Sequence, residues 1–280
     1  MSALGAVTYG TFTAGTGTRF NVAAIDGLDD LPDVLASDVL RPFDHGAQGG
    51  TEFAGTRTIT LDLHLRGDDE AELGQLVTQA SNAFTVGSAD TALTFRDGAD
   101  TVFARVRRRS LPYNAQDLDR FGRCVVEFTC LDPRVYSPAQ SGSAGLQDTT
   151  PLGMGFDTGF NVSYGGGGQA SGAVTITNDG NVDGLVELTV SAGSATLVSP
   201  VLETVGLGFM FIDVALSAGQ TITIKPRDKV VLLDGTARRD LVRVGSVWPT
   251  LPAGGATYRF SSTTTGTNAT LAVTGRAARL

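Results

Sequence analysis

Thr58-Ile59-Thr60-Leu61-Asp62-Leu63-His64-Leu65-Arg66 sets an apolar side chain at every second position, with Thr60, Asp62, His64 and Arg66 on the alternate face. A period of two marks a strand with one face in a core and the other in water. A helix is expected directly after it. Asp69 with Glu72 three residues on is a capping-box-like start, and Leu73, Leu76, Val77, Ala80 and Phe84 fall on one helical stripe. Residues 91 to 95, a turn at Asp97-Gly98 and residues 101 to 110 then read as a hairpin. Residues 123 to 131 read as a further strand, stopped at Asp132-Pro133 because proline cannot donate to the ladder.

Outward from this block the chain changes character. Ser-Gly-Ser-Ala-Gly at 141 to 145 and four glycines at 165 to 168 read as a glycine- and serine-rich linker over 138 to 172. Beyond it helix signals vanish. Short apolar alternations recur near 174, 185, 209, 221, 230, 258 and 271, separated by turn residues such as Asn178-Asp179-Gly180-Asn181 and Asp234-Gly235. Seven or more short strands at that spacing predict an antiparallel β-sandwich. The expected fold class is mainly β with one N-terminal helix, divided into 1 to 137, a linker over 138 to 172, and 173 to 280. A length of 280 residues supports two domains, each with its own core.

Charged residues make up only 18% against 41% hydrophobic, which excludes a disordered polyelectrolyte. The net charge of −8 is unevenly carried. Residues 1 to 137 hold 12 Arg and Lys against 19 Asp and Glu, a net −7, while 138 to 280 hold 9 against 10. Such a chain is not expected to bind nucleic acid by charge. It has no leader-like start and no stretch near the ~20 apolar residues a membrane span needs, so a soluble protein folding in the cytoplasm is expected. The two cysteines, Cys124 and Cys130, share a strand face but lie about 20 Å apart at ~3.3 Å per residue, which excludes a disulfide between them.

The residues do not assemble a catalytic site, and neither a cofactor nor a metal is expected. His45, in Asp44-His45-Gly46, has no identifiable nucleophile to activate, and His64 reads as a solvent-facing strand residue. Asp26, Asp29, Asp30 and Asp33 lack the calcium-loop spacing and read as an acidic solvated loop. Gly165 to Gly168 lacks the residues of a phosphate loop. Arg105, Arg107 and Arg109 are expected to project from one strand face and to meet carboxylates within the subunit or across a subunit boundary. Trp248, the single tryptophan, reads first as core or interface and second as a platform for a sugar ring.

Several stretches, in order, resemble the distal tail proteins of long-tailed, non-contractile bacteriophages. In the first half they are Arg41-Pro42-Phe43-Asp44-His45-Gly46-Ala47, Gly55-Thr56-Arg57-Thr58-Ile59-Thr60-Leu61, Arg66-Gly67-Asp68-Asp69 and residues 129 to 137. In the second half they are residues 219 to 224, 230 to 235, and 246 to 260 from Ser246-Val247-Trp248-Pro249 to Tyr258-Arg259-Phe260. The resemblance implies a β-barrel-like ring domain followed by a galectin-like sandwich. It also implies a homohexameric ring at the tip of the tail tube, with the tube protein on one side and the tip hub protein on the other. The tape measure protein and receptor-binding proteins are further partners it suggests, and the location it implies is the virion tail tip after assembly in the host cytoplasm. A structural, non-enzymatic role follows, and an acidic bore would not retain passing DNA. The alternative is a carbohydrate-binding module contacting the host surface.

Overall fold

The structure is a computed structural model that describes residues 5–43, 45–87, 89–111, 120–146, 172–262 and 268–280. The chain divides into two compact units, Met1–Pro138 with Arg279–Leu280, and Ala139–Ala278.

In the first unit the strand Arg57–Arg66 lies between Phe20–Asp26 and Phe121–Cys130, antiparallel to both. Ile59, Leu61, Leu63 and Leu65 are completely buried, as the alternation requires. Phe128, Val126 and Cys124 stand opposite Ile59, Leu61 and Leu63, so the two strands bury a common face. The long strand Asp100–Ser110 pairs with Thr91–Phe95 through its first half and with Phe121–Cys130 through its second. It thereby turns a corner in the sheet. Val7–Tyr9 and Phe12–Ala14 extend the ladder beyond Thr91–Phe95. The Gly15 N–H then donates to the Phe20 carbonyl (2.8 Å), which curls the two ends of the ladder toward one another.

The helix Glu70–Ala83 packs into this curl. The Asp69 carboxylate accepts from the Glu72 N–H (2.8 Å), which satisfies a donor that the helix start leaves unpaired, and the Glu72 carboxylate accepts from the N–H of Asp68 (2.6 Å), the residue before the cap. Leu73, Leu76 and Ala80 are buried, and Phe84 follows at the C-terminal end. The Phe84 ring lies 4.7 Å from Phe12 and 5.9 Å from Phe128, mostly edge to face.

The second unit is an antiparallel sandwich. One layer runs Gln140–Gly145, Thr270–Arg279, Val182–Ser191, Thr221–Lys225, Val230–Leu233 and Thr236–Ala237, and the other runs Ala173–Ile176, Ala256–Ser261, Val201–Thr204 and Gly208–Phe211. Leu188, Ile222, Ile224 and Leu271 of the first layer close a core with Ile176, Leu202, Tyr258 and Phe260 of the second. The fold class is therefore as expected, mainly β with one helix.

One expectation is corrected. Gln140–Gly145, assigned from sequence to the linker, is a strand paired along its whole length with Thr270–Arg279. Its small residues carry no apolar signal, yet they are what the position needs, since a Cβ on Gly142 would lie 2.7 Å from Val174 Cγ1. Residues 147 to 171, including Gly165 to Gly168, lie outside the described residues.

Candidate assembly surface

The groups that suggested chemistry do not converge. Among the described residues no cluster of His, Cys, Asp and Glu could hold a metal ion, and no helix is long and apolar enough to cross a membrane. His45 and His64 are exposed on different elements. Asp29 pairs with Arg96 and Arg279, and Asp100 pairs with the same two arginines. Asp26 ends the strand Phe20–Asp26, and the loop after it, which carries Asp29 and Asp30, is held through its backbone. The buried Arg57 guanidinium donates to the carbonyls of Gly27 (2.9 Å), Leu28 (2.8 Å) and Asp30 (2.5 Å) and to that of Pro133 (2.7 Å). Burial lowers the pKa of Arg57, but a guanidinium stays charged. Gly27 has φ +84°, and a Cβ there would come 2.1 Å from the Thr58 carbonyl oxygen, so this junction requires glycine.

Both cysteines are free and buried on the core face. Burial pushes the Cys124 thiol up to about 11 and the Cys130 thiol up to about 12. In the unfolded chain thiols ionise near ~8.5. Between about pH 9 and 11 the unfolded state therefore releases protons that the folded state keeps, and stability falls as pH rises, by up to about 1.4 kcal/mol per pH unit for each thiol. Denaturation midpoints at pH 8, 9.5 and 10.5 check this. The native chain should decline more steeply than a Cys124→Ala, Cys130→Ala variant, and parallel slopes would show that burial does not hold the thiols protonated.

The arginine cluster is not arranged as its spacing suggests. A register shift between Val106 and Arg108 places Arg105 opposite Thr129 but Arg109 opposite the buried Val126, on the other face of the sheet. Arg105 pairs with Asp90, and Arg109 donates to the Ser81 and Phe84 carbonyls at the end of the helix. Arg107 and its neighbour Arg108 are exposed and make no ion pair among the described residues. Trp248 is half-buried against the second core.

The feature that sequence reasoning did not isolate is an arm. Between Phe20–Asp26 and Arg57–Arg66 the chain leaves the sheet as two short ladders, Val34–Ala36 with Glu52–Ala54 and Val39–Leu40 with Ala47–Gln48. The Gly55 N–H donates to the Asp33 carbonyl at its base (2.6 Å), and the Arg41 N–H to the Gly46 carbonyl near its tip (3.2 Å). Leu31, Val34, Leu35, Val39, Leu40, Phe43 and Phe53 are all exposed, Leu40 at 80% and Phe43 at 100%, and none joins either core. A thin ribbon is marginal in water, and a contiguous apolar patch of this kind marks an interaction surface. The signal was present in the sequence as a run of large apolar residues that follows neither a strand nor a helix period.

Among the described residues the first unit is a curled sheet with one helix and an apolar arm, and the second is a sandwich. The family model described as siphovirus-type tail component, C-terminal domain, matches residues 179–276. Over 98% of this chain and 99% of the other, the fold is similar to the crystal structure of the phage SPP1 Dit (gp 19.1) protein, with a TM-score of 0.68 and 13% identity. That protein is described as a paradigm of the hub adsorption apparatus in phages infecting Gram-positive bacteria. A chain of the phage P2 baseplate in its activated conformation with Ca is also similar, with a TM-score of 0.55 and 10% identity over 96% of each chain. No curated protein matches in sequence. The resemblance to distal tail proteins thus holds, in the family domain of the second unit and in the fold of the whole chain.

Proposed function

We propose that this chain is a structural component of a phage tail tip, forming a hexameric ring that joins the tail tube to the tip hub and adhesion apparatus. The arm carries the reading, because seven exposed large apolar side chains on a thin ribbon are stable in water only when another subunit covers them. Similarity in fold to the SPP1 Dit protein and to the P2 baseplate chain supports it, and the number six comes from the resemblance. The tube protein, the tip hub protein, the tape measure protein and receptor-binding proteins are the partners proposed. The location proposed is the virion tail tip, assembled in the host cytoplasm. The domain roles proposed are a ring-forming first unit and an outward-facing second unit. The excess acid of the first half would line the bore and let DNA pass.

The test is native mass alone and on mixing with purified tail tubes. A ring-sized species is expected in at least one condition, and a Leu40→Ser, Phe43→Ser variant should keep the melting temperature but lose the ring. A strictly monomeric chain that never joins tubes would sink the proposal. The alternative, a carbohydrate-binding module, gains no support from Trp248, whose ring is engaged with the core.

A further inference from the structure

In the second sandwich layer Leu202, Met210, Tyr258 and Phe260 point into the core, so their alternate neighbours point outward. The register sets Phe209, Glu203, Arg259 and Ala173 in one outward row across all four strands, with Phe211 and Val201 in the row beside it. Phe209 is 49% exposed, and its ring lies 6.3 Å from that of Phe211 with the two planes inclined by 29°. The Asp213 carboxylate accepts two bonds from the Arg243 guanidinium (2.6 and 3.0 Å), whose carbon stands 5.8 Å from the centre of the Phe211 ring. The Phe209 carbonyl accepts from the Val247 N–H (2.8 Å) and the Phe211 carbonyl from the Arg243 N–H (3.1 Å), which fixes the outermost strand and occupies its edge. Glu203 and Arg259 face one another from neighbouring strands. Among the described residues, however, neither makes an ion pair or a side-chain hydrogen bond.

We infer that this face is a binding site for a neutral glycan, with the two phenyl rings as its platform and Glu203 and Arg259 as the groups that read its hydroxyls. The inference goes beyond the structural role, requires no ring and does not use Trp248. A sugar ring carries C–H bonds on its faces and hydroxyls around its rim. A C–H face laid on a phenyl ring sheds water from both, while each hydroxyl at the rim donates and accepts. A carboxylate that only accepts, beside a guanidinium that only donates, satisfies such hydroxyls in both senses with charge-assisted bonds. An apolar protein surface fits this row poorly. The centre of a protein interface is depleted of charge, and such a surface would strip water from the carboxylate and the guanidinium without replacing its hydrogen bonds. The charges on the face are also balanced, Glu203 against Arg259 and Asp213 against Arg243, so no net field draws an anionic polymer. The rings and the bonds that hold their strand are in place before a ligand arrives, which lowers the ordering cost at a shallow site.

The test uses the full chain and neutral oligosaccharides built from glucose, galactose, mannose or N-acetylglucosamine, with polygalacturonate as the anionic control. At least one neutral oligosaccharide should bind with a millimolar Kd, as a single shallow site gives. Its C–H protons should move upfield in the NMR spectrum as the phenyl ring current reaches them. Phe209→Ala, at an exposed position, should keep the native melting temperature, abolish the upfield movement and weaken binding by about tenfold or more. Glu203→Gln and Arg259→Lys should each weaken binding severalfold while the upfield movement persists, because the platform is intact. Failure of every neutral oligosaccharide to bind, binding that Phe209→Ala leaves unchanged, or a preference for polygalacturonate overturns the site and leaves the ring reading standing. A chain that binds a neutral oligosaccharide in this way but is monomeric both alone and with tail tubes overturns the ring reading and leaves the site standing.

Discussion

Replacing Arg57 with methionine is expected to destabilise the first unit by about 3–5 kcal/mol, measured as the shift of its denaturation midpoint. Arg57 is 2% exposed, and its guanidinium serves four carbonyls that belong to two separate segments, residues 27 to 30 and the turn at Pro133. A hydrogen bond to a charged group contributes about 1.5–3 kcal/mol, and the figures for one side chain do not add. Methionine keeps the stem but leaves part-buried carbonyl oxygens without donors, so the desolvation cost of those oxygens is felt in full. Lysine should recover only a part, because a point ammonium cannot span acceptors spread around a planar fork. The loop at 27 to 30 also forms the root of the arm, so Arg57→Met is expected to reduce assembly even at temperatures where the core stays folded. A loss below 1 kcal/mol would show that the four bonds are individually dispensable.

Asn178→Asp is expected to cost the second unit a comparable amount at neutral pH, although it exchanges only one NH2 for one oxygen. Asn178 is 1% exposed and its side chain makes five bonds. The amide NH2 donates to the carbonyls of Val182 (2.9 Å), Leu251 (3.0 Å) and Pro252 (3.1 Å), and the amide oxygen accepts from the N–H groups of Gly180 and Ala278 (both 3.1 Å). One side chain therefore ties together the turn at 178 to 181, the segment at 251 to 252 and the last strand. The introduced carboxylate would face three carbonyl oxygens with no proton to offer, at a buried site. Its folded-state pKa would lie above the unfolded value of ~3.9, so the deficit should be largest at pH 7 and shrink as pH falls toward 4. Chemical denaturation at pH 4.5 and 7 checks both size and sign. A deficit independent of pH would mean that geometry rather than charge is responsible.

Both residues fall in stretches that sequence reading reached for other reasons. Arg57 is within Gly55-Thr56-Arg57-Thr58, one of the segments that carry the resemblance to distal tail proteins, and Asn178 opens a stretch read as turn chemistry. Nothing in their neighbours along the chain says that they are buried. Their acceptors lie 27 to 76 residues away for Arg57 and up to 74 for the Asn178 amide, and only the closed fold brings them within reach. The arginine cluster shows the same limit in another form. A spacing of two implies one face, but a single bulge next to Arg107 turns Arg109 to the side opposite Arg105.

Residues 58 to 84 show what sequence determines by itself. The strand, its buried face, the helix and its Asp69 cap follow from period and local hydrogen bonding, because those interactions join residues a few positions apart. The mainly β class and the strands of the sandwich were legible for the same reason, whereas Gln140–Gly145 was not, because a strand of small residues is specified by what approaches it. The tertiary structure alone decided that seven apolar residues between 31 and 53 remain outside both cores. Exposure is a property of the whole packing. An apolar residue in a sequence is a candidate for the core until long-range pairing shows which side chains have been left for another subunit.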